Sequence, residues 1–204
     1  DRERLADVVR PYSERARERL RRFVEEGGAV VTTGQQTGFL TGPLYTVYKA
    51  LSAVVLARHL EERLGRIVLP VFWIASEDHD WAEVNHAYVL DPANRLRRVE
   101  LPDSGENRPI PMSERVLAGD LESLCDEIAQ SIAPQKQTQA YAKRVLDPYR
   151  TPGKTMARAF QEALAAILGD FDLLFVDAAD PALKKISARV LWESVAEAEG
   201  EEVR

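Results

Sequence analysis

Two short stretches of this chain are apolar without polar alternation: AVVTTG at 29–34, rich in β-branched residues, and IVLPVFWIAS at 67–76. Runs of this length and make-up predict buried strands. Between them Leu44, Val47, Tyr48, Leu51, Val54 and Val55 recur at helical spacing and form one stripe. A helix is therefore expected, started at Thr41-Gly42-Pro43 by a capping threonine or glycine with proline at the first helical position. It runs to about Arg63, and Gly65 ends it. Strand, glycine-rich loop, helix and strand make a βαβ unit, which implies parallel pairing and a right-handed crossover.

The flanks extend this pattern. DRERLADVVRPYSERARERLRRFVEEGG reads as helical and is closed by Gly27-Gly28. HAYVLD and RLRRVELP read as short strands around a turn at Pro92-Ala93-Asn94, and PDSGENRPIP as loop. LESLCDEIAQSI is helical, QTQAYAKRVLDPYR helical or mixed, and KTMARAFQEALAAIL a helix stopped by Gly169. FDLLFVDA (171–178) is a third buried strand, followed by a closing helix begun at Pro181. The fold class is α/β. The chain begins and stops inside helical patterns without an initial methionine, so a piece of a longer protein is expected.

Composition narrows the function classes. The 204 residues are 45% hydrophobic and 29% charged, ordinary for a globular domain. The net charge of −6 and the lack of a basic block argue against nucleic-acid binding, and no apolar run approaches a membrane span. The single cysteine, Cys125, cannot form an internal disulfide, which suits a reducing cytoplasm. Its place in LESLCDEI predicts a buried, inert thiol, and His59 beside Arg58 reads as surface.

Candidate chemistry gathers in two loops. Open parallel sheets bind ligands beyond the carboxyl ends of their strands, where TGQQTGFLTG and SEDHDWAE both fall. If the strands are neighbours, the loops face one crevice. In the first, Gly34, Gly38 and Gly42 let the backbone turn and approach a ligand. The helix N-terminus after Gly42 offers free N–H groups to a phosphate or carboxylate. Tyr45 and Lys49 lie four apart on one face, with Lys49 adding a cation, and the adjacent amides Gln35 and Gln36 orient polar groups. The bland alternative is a βα turn that needs glycine, with Tyr45 on its rim and Tyr48 packed in the core. Neither G-x-G-x-x-G nor a Walker loop fits. Gly153-Lys154-Thr155 has Pro148 where the Walker glycine belongs, and reads as a helix start.

The second loop runs Glu77, Asp78, His79 and Asp80 together, then Glu83, Asn85 and His86. Charges placed directly after an apolar strand carry a desolvation and repulsion cost unless a ligand, metal or cation offsets it. The alternative is a solvated acidic turn. Carboxylates with an imidazole hold amines and hydroxyls or shuttle protons. The two-histidine helical spacing of zinc enzymes is missing, so no metal is assigned.

TGQQTGFLTGPLYTVYKA (33–50) followed by PVFWIASEDHDWAEVNHAYVLD (70–91) resembles the bacillithiol-biosynthesis cysteine-adding enzymes. The likeness is dense over 29–91, extends to FDLLFVDAADPALKK (171–185) and is thin over 100–150. It implies a Rossmann-like parallel-sheet core of the class I nucleotidyltransferase kind, interrupted by connecting-peptide insertions. On that reading 1–28 is an N-terminal helical segment and 29–91 the first part of the core with the pocket. Residues 92–150 are the insertion, and 151–204 return to the core. The resemblance implies a cysteine ligase that joins L-cysteine to the amine of glucosaminyl malate, and a homodimer paired through a coiled coil absent from this chain. Lys49, Asp78, His79 and Asp80 are then the catalytic candidates. Gln35, Gln36, Tyr45, Tyr48, Glu77 and Asn85 are the substrate-binding ones, with Gly34, Gly38 and Gly42 at an anion or nucleotide site. ATP with magnesium is implied as co-substrate by fold kinship, with one departure. Class I nucleotidyltransferases place two histidines, three apart, where this chain has Tyr45 and Tyr48, and tyrosine brings no positive charge. A nucleotidyltransferase-like enzyme with another small-molecule substrate and a non-catalytic binding module stay open beside this reading.

Overall fold

The structure, a computed structural model, describes residues 2–103, 105, 108–132 and 136–201. Its centre is the expected βαβ unit. Strand β2 (Ala29–Gln36) pairs in parallel with β3 (Val68–Ala75), in register from Ala29 opposite Val68 to Gln36 opposite Ala75. Helix α3 (Tyr45–Leu64) connects them and packs on both. Strand β6 (Leu174–Asp177) lies parallel on the far side of β3, from Val71 opposite Leu174 to Ile74 opposite Asp177. The parallel strands therefore lie third, second, first in chain order, the order of one half of a Rossmann sheet.

The N-terminal segment departs from its helical reading. It breaks into α1 (Arg2–Val8), β1 (Val9–Pro11) and α2 (Glu14–Glu26). Val8 and Val9 are buried, and β1 runs antiparallel to β6, so this segment supplies a sheet edge. Pro11 has no N–H to continue a helix, and Ser13 restarts one by accepting a 3.0 Å hydrogen bond from the Ala16 N–H.

Two expectations about the βαβ unit are also corrected. Strand β2 is not buried; it is the opposite edge, and half of its first four residues are exposed. Periodicity could not show this, because edge and centre differ only in what pairs from elsewhere in the chain. Helix α3 starts at Tyr45, two residues after Pro43, and no side chain caps it. Its buried stripe is Thr46, Ala50, Ala53, Val54 and Ala57; of the expected stripe Val47, Leu51 and Val54 pack on the core, whereas Leu44, Tyr48 and Val55 face outward, Tyr48 at 62% exposure. The small alanines let the helix sit close on the sheet beside Val47, Leu51 and Val54.

Helix α3 and α7 (Met156–Leu168) cover one face of the sheet around Phe72, Ile74, Phe160, Leu164 and Phe175. Each such buried side chain stabilises the fold by about 1.5–3 kcal/mol. Helix α7 begins at its cap Thr155, which accepts from the Arg158 N–H, so Gly153-Lys154-Thr155 is a helix start. On the other face Val8, Phe23, Leu69, Val71 and Val176 meet Leu183 of α8 (Pro181–Glu201).

The chain between β3 and α7 forms a third cluster. It holds α4 (Trp81–Val84), the hairpin β4 (His86–Leu90) and β5 (Leu96–Glu100), α5 (Leu121–Ser131) and α6 (Lys136–Leu146). Asn94, with φ 56°, makes the hairpin turn. In the loop at 102–111, residues 104, 106 and 107 lie outside the described residues. The cluster joins Val99, Met112, Leu121, Ile128, Tyr149 and Met156 to Phe39, which comes from the loop after β2. Cys125 is buried there, and desolvation pushes its thiol pKa up to about 11, as fits an inert cysteine. Among the described residues no helix is long and apolar enough to cross a membrane.

Candidate functional site

Because Gln36 stands opposite Ala75, both loops leave the sheet at one end. The loop after β2 and the β4–β5 hairpin enclose a cleft of about 630 Å³, within the range of small-molecule sites. Gln35, Gln36, Gly38, Leu40, Gly42 and Tyr45 form one wall; Glu83, His86 and Tyr88 stand opposite. The His86 and Tyr88 rings meet edge to face at 5.7 Å.

The three glycines do different things. Gly34 lies inside β2, where a Cβ would fall 2.7 Å from the Trp73 carbonyl oxygen, so it admits close approach of the neighbouring strand. At Gly38 a Cβ would lie 2.7 Å from the Gly42 Cα, and Gly42 has φ 70°. The loop thus closes on itself at those two residues. Between them Phe39–Thr41 make a 3₁₀ turn in which Leu40 (φ 51°) and Thr41 (φ 73°) are both left-handed. For residues with a Cβ this costs of order 1–2 kcal/mol each and persists only where the surroundings fix it. The surroundings here are the buried Phe39 and Tyr149. Their rings pack edge to face at 5.0 Å, and the Tyr149 hydroxyl donates to the Gly38 carbonyl at 3.0 Å.

At the start of α3, Lys49 Nζ donates to Gly34 O at 3.2 Å and to Gln35 Oε1 at 2.9 Å, and lies 5.2 Å from the Tyr45 ring centre. Gln35 Nε2 donates to the Tyr45 hydroxyl at 2.9 Å. Gln35, Tyr45 and Lys49 are one cluster. Tyr48 stands apart from the cleft, in an open groove along β2 with Thr33, Ser52 and Leu56.

The acidic loop does not wall a single pocket; its side chains diverge. Asp78 turns inward, where its carboxylate accepts from the Gln36 amide and, at 3.1 Å, from the Asp80 N–H. The Asp80 N–H first, and the Gln36 amide after it, hold the Asp78 pKa below its ordinary value against the opposing effect of burial. Asp80 caps α4 by accepting from the Glu83 N–H at 3.1 Å. His79 and Asp80 line a separate hollow with Trp81, Arg108 and Arg115. Glu77 faces a third hollow, paired with Lys184 at 2.6 Å. Asn85 is buried outside the cleft and braces the hairpin: Nδ2 donates to Glu100 at 2.8 Å, and its carbonyl accepts from the Leu101 N–H. The desolvation cost expected of this loop is largely avoided, since Glu77, His79 and Asp80 are exposed and Asp78 is satisfied within the chain. Among the described residues no group of three or more His, Cys, Asp or Glu converges as a metal site.

Sequence reasoning missed three contributors. Tyr88 reads as an ordinary strand aromatic, and Tyr149 follows Asp-Pro in a stretch without a motif. Ser76 is fully buried; it donates to the Asp177 carboxylate, and the Ala179 N–H bridges both, tying the ends of β3 and β6. Chemically, the cleft offers amide and hydroxyl groups and an imidazole among apolar side chains, while Lys49 lines the groove that holds Tyr48. Such a lining suits a small, polar, hydroxylated or zwitterionic ligand.

A family model described as "Bacillithiol biosynthesis BshC, N-terminal Rossmann-like domain" matches residues 1–203. Among curated relatives, "Putative cysteine ligase BshC" of Solibacter usitatus is 36% identical over 176 residues, covering 86% of this chain and 32% of that protein. The protein of the same name from Symbiobacterium thermophilum is 38% identical over 169 residues, 76% of this chain and 30% of the relative. That of Lysinibacillus sphaericus is 32% identical over 186 residues, 88% and 34% respectively. The chain spans about a third of the length of the curated relatives it matches.

Proposed function

We propose a function from one premise: this chain belongs to the family of the bacillithiol-biosynthesis protein BshC, through its N-terminal Rossmann-like domain. Within the longer protein it forms the substrate cleft of a cysteine ligase, which joins L-cysteine to the amine of glucosaminyl malate to give bacillithiol. The observation that carries this reading is the meeting of Gln35, Gln36, the glycine loop and Tyr45 with His86 and Tyr88 around one cleft at the strand ends.

Gln35, Gln36 and Tyr45 hold polar groups of the substrates, and Lys49 faces a carboxylate or phosphate once its contacts with Gly34 O and Gln35 are exchanged. Asp78 acts through Gln36, whose amide it fixes. His79 and Asp80 are the proton carriers of this reading, placed in the separate hollow that they line. ATP with magnesium is the co-substrate that activates the carboxyl group. Lys49, in the second turn of α3, is the residue that would hold its anionic part; the Thr46 and Val47 N–H groups at the helix start already donate to Pro43 O and Leu44 O. Tyr45 adds a neutral hydroxyl there. Pairing of two subunits through a coiled coil is part of the same proposal.

The test uses the purified full-length protein with L-cysteine and glucosaminyl malate, with and without ATP and magnesium, reading bacillithiol by mass spectrometry. Product that requires ATP supports the ligase. Product without ATP removes the co-substrate from the proposal, and no product under any condition sinks it.

A further inference from the structure

We infer that Tyr149 is a positioning residue for the cleft: its hydroxyl fixes the left-handed turn at Leu40–Thr41 and thereby sets the shape of the floor on which the ligand rests. The inference rests on the reading of this cleft as the substrate site.

Tyr149 lies 111 residues from Gly38 in sequence and is fully buried. A phenolic hydroxyl has one proton to give and two lone pairs. Here the proton goes to Gly38 O at 3.0 Å. That bond ties the buried hydroxyl to the glycine at which the five-residue loop closes on itself. Desolvation raises the phenol pKa, so the group keeps its proton as donor at neutral pH. The ring does separate work, packing on Phe39 within the third cluster. Gly38, Leu40 and Gly42 line the cleft, and Tyr45 follows directly at the start of α3. A shift of this loop would move the floor and the Gln35–Tyr45–Lys49 cluster together.

Tyr149→Phe separates the two roles, because it keeps the ring and removes the hydroxyl. In the full-length protein, amide hydrogen exchange at Leu40 and Thr41 is expected to accelerate about tenfold or more while exchange in β3 and β6 is unchanged, since the turn loses its anchor at Gly38 O. The KM of the substrate held in the cleft is expected to rise about tenfold with kcat within about threefold of wild type. A purely structural role would instead raise exchange throughout the third cluster and leave KM alone. Unchanged exchange at Leu40 and Thr41 in folded Tyr149→Phe overturns the inference, as does faster exchange with unchanged KM.

If Tyr149→Phe fails to fold, the double variant Thr41→Asn/Tyr149→Phe carries the test, because asparagine tolerates the left-handed conformation and Thr41 is not among the residues that line the cleft. It is expected to fold with KM within about threefold of wild type. A double variant that also fails to fold makes Tyr149 a core residue only and overturns the inference. Exchange is read on the resting protein, so it decides the role of Tyr149 even if wild-type protein makes no bacillithiol and the functional reading falls.

Discussion

The loops after β2 and β3 leave adjacent strands at the same end of one sheet, yet they are built on opposite principles. The loop after β2 is sunk into the protein: Thr37, Gly38, Phe39 and Thr41 are buried, two of its residues are left-handed, and a tyrosine from far along the chain holds it. The loop after β3 is carried on the surface. Apart from the buried Ser76, its polar groups are exposed or satisfied in pairs, Asp78 with Gln36 and Glu77 with Lys184. The first floors the cleft, and the second forms a hydrated charged rim outside the cleft's lining. The first fixes geometry at a cost in strain, and the second presents charge without burying it.

That difference can be broken at several points. The largest effect is expected from Phe39→Ala. Phe39 is fully buried against Tyr149, so its truncation should cost about 3–5 kcal/mol in urea unfolding. A loss under about 1 kcal/mol would mean the loop does not depend on the third cluster. Gly38→Ala comes next, at about 1–3 kcal/mol, because the new Cβ meets the Gly42 backbone at 2.7 Å and backbone cannot swing aside. An unaltered unfolding midpoint would show that the loop has room to relax.

The rim should respond to pH instead. The Asp78 pKa is lowered in the fold, so the stability it contributes is fully present above its ordinary value of 3.8 and is lost as pH falls through the lower folded value. The stability gap between wild type and Asp78→Asn should therefore hold at neutral pH and close in acid. Thermal melts of both proteins across that range measure it, and a gap independent of pH would remove the carboxylate from the account. The smallest effect belongs to Glu77→Gln. Both partners of the Glu77–Lys184 pair are more than half exposed, so its loss should change stability by less than about 0.5 kcal/mol. A larger loss would mean the rim is stiffer than its exposure suggests.

The same contrast explains what could be read in advance. The βαβ unit, the hairpin, the α7 helix and the inert cysteine were all legible, because each depends on local periodicity, caps or turns. The short strand β1 was not. Three residues carry too little pattern, and their partner in β6 lies at the other end of the chain. The stripe of α3 was right at Val47, Leu51 and Val54 and wrong at Leu44, Tyr48 and Val55, because bulk was weighed above fit: Ala50, Ala53 and Ala57 are buried and Tyr48 is not. Within the candidate site, Gln35, Tyr45 and Lys49 do meet, at distances set by a strand end and the first turn of the following helix. Glu77, His79 and Asp80 diverge into different hollows, which no spacing along an irregular loop can foretell.

By itself, then, the sequence determined the α/β class, the order of the parallel strands' elements and the placing of two chemically dense loops at strand ends, since hydrophobic period and glycine placement act over a few residues. Tertiary structure alone decided which strands became edges, which side chains share the cleft, and that Tyr149 governs a loop 111 residues away. Those outcomes depend on long-range packing, where the burial of one ring and the satisfaction of one hydroxyl fix backbone that its own residues would not choose.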